Sequence, residues 1–414
     1  MRIGTPWGRY LSASVFCGTM AGGIMTGAAI EMNELKLVQD AKPAAVIVIA
    51  EDATRSAQFA ALELQDQIKS ITGAALPIRA KAEAGETAVY VGESEPVKKA
   101  GLGNEQFKEQ EYAIKFIPNG IILTGLDAAV RTKVSYDPAK PDSWGNLPDF
   151  WEEKGSLNAV YDFLERFCGV RYFSPTEFGT SFPRQASLTV SGEDVRRSPF
   201  FRYREVYPAS AQPDKMDLTN VMWKASDPEF EEWRGTAYPA LLKQFPDKNQ
   251  FSRAYRNLAY RYLLRSRHGG EKMAANHSLY PYYDYFWNKD SKSFIGAHPE
   301  WFAQGWGDGK PEQMCYTNGA MAEQVAKEAD FYFQGKNIKG DSPRAQTWGK
   351  TNFAVVPQDN EFHCRCENCQ KLLGSRKDAG RQRDFSSNLM FTFVNRVAEK
   401  IMKTNPDKTV SALA

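Results

Sequence analysis

The chain has no surplus of either charge: 52 Lys and Arg stand against 50 Asp and Glu, a formal +2 at pH 7. That balance provides no basic field for nucleic acid and no polybasic patch for a membrane surface. No glycine-rich phosphate loop occurs, which argues against a nucleotide-binding sheet. The longest uncharged stretch, residues 10–30, is rich in Gly, Ser and Thr and is too weakly apolar for a comfortable membrane span. Tryptophan is missing between Trp7 and Trp144, and the remaining eight all follow. What the chain does have is globular composition, 42% hydrophobic and 25% charged, with an aromatic share of 13%. Its 414 residues are enough for two or three domains of about 150 residues each.

Residues 1–29 read as a secretory signal peptide: Arg2 and Arg9, an uncharged stretch, then Gly27, Ala28 and Ala29 as small residues at a cleavage point. The expected location is secreted or periplasmic, with no membrane span after cleavage; a disordered cytosolic leader is the plainer alternative. Residues 30–198 alternate strand and helix and form an N-terminal α/β domain with a sandwich-like arrangement. Residues 44–50 (AAVIVIA) and 88–92 (AVYVG) are buried strands. Ala57, Ala60, Ala61, Leu64, Ile68 and Ile71 recur with helical spacing up to Gly73. Asn119 and Gly120 mark a tight hairpin between residues 112–117 and 121–124. Residues 132–157, rich in Pro, Gly, Asp and Trp, look like a surface insertion.

From residue 199 the alternation lengthens. Strands are expected at 201–207, 272–277, 312–316, 352–357 and from 409, with helices at 251–265, 320–333 and 389–402. Strands alternating with helices imply parallel pairing. The expected fold of residues 199–414 is therefore a (β/α)8 TIM-type barrel truncated after about five strands. The chain would then be a fragment, its second catalytic carboxylate lying beyond Ala414.

Three groups of residues can carry chemistry. Cys364, Cys366 and Cys369 make a C-x-C-x-x-C cluster, and Cys315 can close a tetrahedral site as fourth ligand. Structural zinc is the expected occupant. Two disulfides among the same four are the alternative for an exported protein, and a redox-active pair is a third. Cys168, on the apolar face of a helix, is a buried thiol, and His363 a neighbour of the cluster. Just before it, Asp359, Asn360 and Glu361 follow an apolar strand. Two carboxylates flanking an amide at a strand end can supply a general acid and a ligand for a sugar hydroxyl; an acidic loop that only solvates the strand end is the plainer reading. Finally, residues 275–306 hold ten aromatics without a buried-face rhythm between 280 and 287, which suggests a loop. Tyr282, Trp287 and Trp301 would pack on sugar faces, whereas Phe286, Phe294 and Phe302 suit a core. His277, at a strand end, is the best ligand-binding histidine.

Residues 128–206, with LNAVYDFLERFCGVRYFSP and SPFFRYREVY, resemble the N-terminal domain and junction of α-glucuronidase-like bacterial proteins. Residues 200–414 resemble the domain of unknown function 4838, on HPEWF (298–302), MCYTN (314–318), VPQDNEFHCRCENC (356–369) and NLMFTFVNRVAEKI (388–401). The arrangement of Cys315 with the C-x-C-x-x-C loop is also distantly similar to the structural zinc cluster of one class of retaining β-galactosidases. In those enzymes an Asn-Glu strand end precedes the loop, and the Glu is the general acid/base. That resemblance implies Asn360 and Glu361 in those roles; proteins nearer to this one emphasise Asp359 instead. The resulting expectation is a glycoside-hydrolase-like protein acting on a polysaccharide or glycoconjugate, with Asp359 or Glu361 as acid. Asn360, His277, Tyr282, Trp287 and Trp301 would bind sugar, and Arg202 or Arg204 a substrate carboxylate. The competing expectation is a non-catalytic carbohydrate-binding or surface protein on the same scaffold; a metal- or redox-dependent protein centred on the cysteines is the third.

Overall fold

The computed structural model describes residues 34–175, 178–205, 227–335, 345–373 and 382–413; the expected signal peptide, residues 1–29, lies outside them. The first elements are β1 (Leu35–Gln39), β2 (Lys42–Pro43), β3 (Ala45–Val48), α1 (Arg55–Thr72), β4 (Ile78–Arg79), β5 (Thr87–Val91) and α2 (Glu95–Lys99). They continue with β6 (Tyr112–Ile117), β7 (Gly120–Gly125), α3 (Gly155–Phe167), β8 (Arg171–Tyr172), β9 (Thr180–Ser181), β10 (Leu188–Val190) and β11 (Val195–Arg197). Six strands form a mixed sheet in the order β11-β6-β7-β5-β3-β4. The β4-β3-β5-β7 pairings are parallel, and β6 runs antiparallel to both neighbours.

Local chemistry explains these elements. All four residues of β3 are buried, as a strand covered on both faces requires. Helix α1 begins where Thr54 accepts from the Ala57 N–H, and ends at Gly73 in the left-handed region. Its Phe59, Leu64 and Ile68 pack with Leu157, Val160 and Leu164 of α3 against Ile47, Val89 and Leu123 of the sheet. The opposite face holds a smaller cluster around Val97 of α2, Ala113 and Ile122. The β6–β7 hairpin forms, but Ile117 pairs with Gly120, so the turn residues are Pro118 and Asn119. Proline cannot adopt the positive φ of a type I′ turn; Asn119 alone does so. Gly120 instead serves close approach, since a Cβ there would lie 2.6 Å from the Ala88 carbonyl oxygen.

The later elements are β12 (Tyr203–Arg204), α4 (Asp227–Ala237), α5 (Pro239–Gln244), α6 (Lys248–Arg265), β13 (Gly269–Gly270), α7 (Tyr282–Phe286), α8 (Gly319–Phe333), β14 (Asn352–Ala354), α9 (Glu367–Leu373), α10 (Gln382–Thr404) and β15 (Thr409–Ser411). Helix α6, capped by Asp247, docks on the N-terminal sheet-and-helix unit. Leu263 and Leu264 join its core, and Arg265 meets Glu63 at 2.7 Å. The segment before α3 is the bed for this helix and not a free surface insertion. Trp144 and Phe150 are buried, Arg261 lies over the Trp144 ring, and Asn257 and Tyr260 donate to the carbonyls of Pro141 and Pro148.

The fold is mixed α/β, and the expected barrel is not established by its strands. Among the described residues of the later half, β14 and β15 make one parallel ladder, and β12 pairs antiparallel with β13. The 312–316 segment contributes a single bridge, Phe302 to Met314. Residues 274–278 run beside β14, with Ser278 N–H on the Val356 carbonyl at 3.0 Å and Asn352 Nδ2 on that of Ala274, yet form no regular ladder. The β13 glycines are demanded by a close approach. Gly269 and Gly270 both have positive φ, and a Cβ on Gly269 would lie 1.8 Å from the Phe150 oxygen. A side chain does not fit at Gly269. A second core collects α7, α8, α10, β14 and the cysteines.

Candidate functional site

The four cysteines meet. Cys315, Cys364, Cys366 and Cys369 place their sulphurs within 4.8 Å of one another, and Cys315 Sγ lies 3.8 Å from Cys366 Sγ and 3.9 Å from Cys369 Sγ. All four are free thiols at these separations, far beyond the roughly 2.05 Å of a disulfide, so the paired-bridge alternative is set aside. Cys315 arrives just before α8, whose N-cap Asn318 accepts from Met321 N–H; Cys369 sits on α9. The backbone N–H groups of Gln304 and Cys366 point at Cys364 Sγ, at 3.4 and 3.5 Å. Thr317 Oγ1 lies 3.1 Å from Cys369 Sγ. Hydrogen bonds from Cys315, then Cys369, and from these backbone groups hold the Cys364 thiol well below its usual range. The same sharing pushes Cys315 up to about 11. Four sulphur donors around a thiolate-stabilising turn can hold a tetrahedral metal ion. Cys168 is apart, buried on the first core, with its thiol pushed up by burial.

The acidic loop connects β14 to this cluster along the chain. Gln313, with no exposed surface, donates Nε2 to the carbonyls of Gln358 (2.7 Å) and Asn360 (2.9 Å). Tyr316 donates toward Gln313 and Gln358. Asn360 spends its amide inward, donating to Glu312 O and accepting from Phe362 N–H, so it shapes the turn instead of facing a ligand. Asp359, by contrast, is 87% exposed, with Oδ2 3.7 Å from His277 Nε2. His277 Nδ1 lies 2.5 Å from the Pro357 carbonyl oxygen. A carbonyl only accepts, so Nδ1 carries the proton and Nε2 faces Asp359. The Asp359 N–H points at Tyr280 Oη at 3.4 Å. Glu361 is exposed on the same turn.

Other expected ligands lie elsewhere. Residues 282–286 are a short helix, not a loop. Tyr282 is fully buried against Phe286, and Trp301 stacks on His298 and meets Phe286 edge to face. These two rings are core, as Phe286 and Phe302 are, and offer no face to a sugar. Trp287 is half-buried, edge-on to Phe302. Arg202 pairs with Glu109 and with Glu271, at the start of the segment whose far end carries His277. Arg204 donates to Arg267 O, Gln110 Oε1 and Phe201 O. Both arginines are joined to the N-terminal unit, and the structure does not bring them to Asp359. The sequence reading missed Gln313, Tyr316 and Thr317. Only the nearness of Tyr316 and Thr317 to Cys315 could have signalled them; nothing local marks Gln313.

Among solved structures, the GH20 β-N-acetylhexosaminidase of Streptomyces coelicolor A3(2) is 12% identical, over 92% of this chain and 64% of that one, with a TM-score of 0.33. A mutant Streptomyces plicatus β-hexosaminidase in complex with product is 10% identical, over 92% and 62%, with a TM-score of 0.31. A family GH115 4-O-methyl-α-glucuronidase with specificity for decorated arabinogalactans is 14% identical, over 91% and 42%, with a TM-score of 0.33. The chain thus spans less than two thirds of the length of these relatives, and at such TM-scores none of them places a residue of this chain in a role. No curated protein matches it. The family model described as Domain of unknown function (DUF4838) matches residues 174–414, more than half of the chain. The protein belongs to that family.

Proposed function

We propose that the chain belongs to an exported glycoside-hydrolase-like protein, with an α/β domain over residues 30–198 and a TIM-type barrel beginning at residue 199. The observation that carries this reading is the setting of Asp359. Its exposed carboxylate lies just beyond a strand in a parallel pair, beside His277 and Tyr280, on a turn held by Gln313. A carboxylic acid there can protonate a leaving glycosidic oxygen, with His277 Nε2 exchanging a hydrogen bond with it. Glu361 is the second candidate acid. The opposing nucleophile or base would come from another strand. Tyr280, 43% exposed, is an aromatic surface at this turn, its hydroxyl facing the Asp359 N–H.

The metal in this reading is structural zinc. With Zn–S bonds of about 2.3 Å, a tetrahedron has S–S edges of about 3.8 Å, close to the Cys315 separations. Four protein ligands leave no open position, so the ion holds the loop and does no chemistry.

The test is turnover by the full-length protein on plant and host glycans. The reading predicts that Asp359→Asn lowers kcat by at least about a hundredfold, the usual contribution of a general acid. Wild-type turnover by the double variant Asp359→Asn/Glu361→Gln would overturn it. One observation favours the carbohydrate-binding alternative: the 87% exposure of Asp359 leaves it undesolvated. Binding without hydrolysis, unchanged in that double variant, would establish this second reading.

A further inference from the structure

Trp306 and Phe362 are large, exposed and absent from the hydrophobic core beneath them, with exposures of 37% and 46%. They meet edge to face at 5.0 Å and 84°. Phe362 directly follows Glu361, so the pair borders the acidic turn. Three contacts fix the indole. Its N–H donates to the His363 carbonyl at 2.8 Å, Phe362 abuts it, and the Arg365 guanidinium lies over one face, 3.5 Å from the ring centroid. Arg365 is held in turn by its own N–H on Gln304 O and by Nη1 on Gly305 O, both at 2.9 Å. Gly305 has positive φ, and a Cβ there would press on the Arg365 side chain at 2.8 Å. This close approach therefore needs a glycine. Among the described residues no carboxylate pairs with Arg365.

We propose that Trp306, Phe362 and Arg365 form a binding shelf for an anionic sugar unit, carboxylated or sulfated, adjoining the unit at Asp359. The proposal rests on the reading of this protein as one that binds carbohydrate. Pyranose C–H groups pack on the aromatic pair. A stacked guanidinium keeps in-plane N–H donors that match a carboxylate or sulfate in a planar, forked geometry. Stacking on the indole also spares Arg365 much of the cost of ordering on binding, because its position is set beforehand.

The experiment is calorimetric titration of the full-length Asp359→Asn protein with oligogalacturonates, glucuronoxylan oligosaccharides and chondroitin sulfate oligosaccharides. Carboxyl-reduced and desulfated counterparts separate the two anion sources. At least one acidic ligand is expected to bind, and Trp306→Ala, Phe362→Ala and Arg365→Leu should each weaken it, the first and last by tenfold or more. The neutral counterparts should bind equally well with and without the Arg365→Leu substitution. Should Trp306→Ala fail to fold, Phe362→Ala and Arg365→Leu decide, since neither side chain is part of the core. Failure of every acidic oligosaccharide to bind, or binding that survives Arg365→Leu or both aromatic substitutions, overturns the shelf. Parallel turnover assays on wild-type protein separate this from the wider reading. Shelf binding without hydrolysis defeats only the enzyme, and hydrolysis with a dispensable shelf defeats only this proposal.

Discussion

Glu63 has no exposed surface, and its carboxylate is surrounded: Arg265 Nε at 2.7 Å and Nη2 at 3.1 Å, Tyr161 Oη at 3.1 Å, and Tyr136 and Arg261 close by. Burial alone would raise its pKa. The attraction of Arg265 and then Arg261, with hydrogen bonds from Arg265 and Tyr136, outweighs burial and holds it below the ordinary 4.5. A folded pKa below the unfolded one means that this stabilisation is complete above 4.5 and is lost as the pH falls through the lowered folded value. Glu63→Gln leaves Arg265 buried without its counter-charge, so a loss of about 3–5 kcal/mol at pH 7 is expected in denaturant unfolding. The variant should also show a flatter fall of Tm with acid than the wild type. An unchanged acid slope would refute the assignment. Nothing in the residues around Glu63 reveals this site, since its partner stands 202 positions away; a charged residue on an apolar helix face reads simply as a break in the pattern.

At the scale of elements, β3, α1 and the β6–β7 hairpin were legible because their signals are local: a run of buried aliphatics, a 3.6-residue stripe ending in glycine, and turn-forming Asn119 between two apolar runs, although the turn itself is Pro118-Asn119. Helix α7 was not. Five residues make less than two turns, too few for a period, and Tyr282 and Trp301 are buried by partners that sequence spacing does not identify. The antiparallel β12–β13 pair was missed for a related reason. Its glycines are shaped by contact with Phe150, which lies over a hundred positions earlier. Gly269→Ala tests that junction. With φ near +99° and a Cβ driven onto a carbonyl oxygen, the variant should lose at least about 2 kcal/mol. Thermal unfolding within about 1 °C of wild type would show that the junction yields freely.

For the whole molecule, the two large cores should respond differently to a metal at the cysteines. The cysteines belong to the second core with α7, α8, β14 and α10, while the six-stranded sheet and α1 and α3 form the first. If zinc closes the cysteine site, the protein should contain one equivalent by elemental analysis. Its removal by a strong chelator should then lower Tm and expose amides of residues 301–333 and 352–373 to hydrogen exchange. Protection in α1, β5 and β7 should persist. A protein isolated without metal whose Tm ignores chelator would exclude the structural ion.

The sequence by itself determined what depends on near neighbours: the helices and strands of the N-terminal unit, the C-x-C-x-x-C loop as a ligand set, and an acidic turn at a strand end. Tertiary structure decided what depends on distant ones. It brought Cys315, the expected fourth ligand, to the loop, turned Asn360 inward, set His277 against Asp359, buried Tyr282 and Trp301, and tied Arg202 and Arg204 to the N-terminal unit. The reason is that backbone propensity and periodicity act over a few residues, whereas the direction in which a side chain finally points is set by packing across the whole chain.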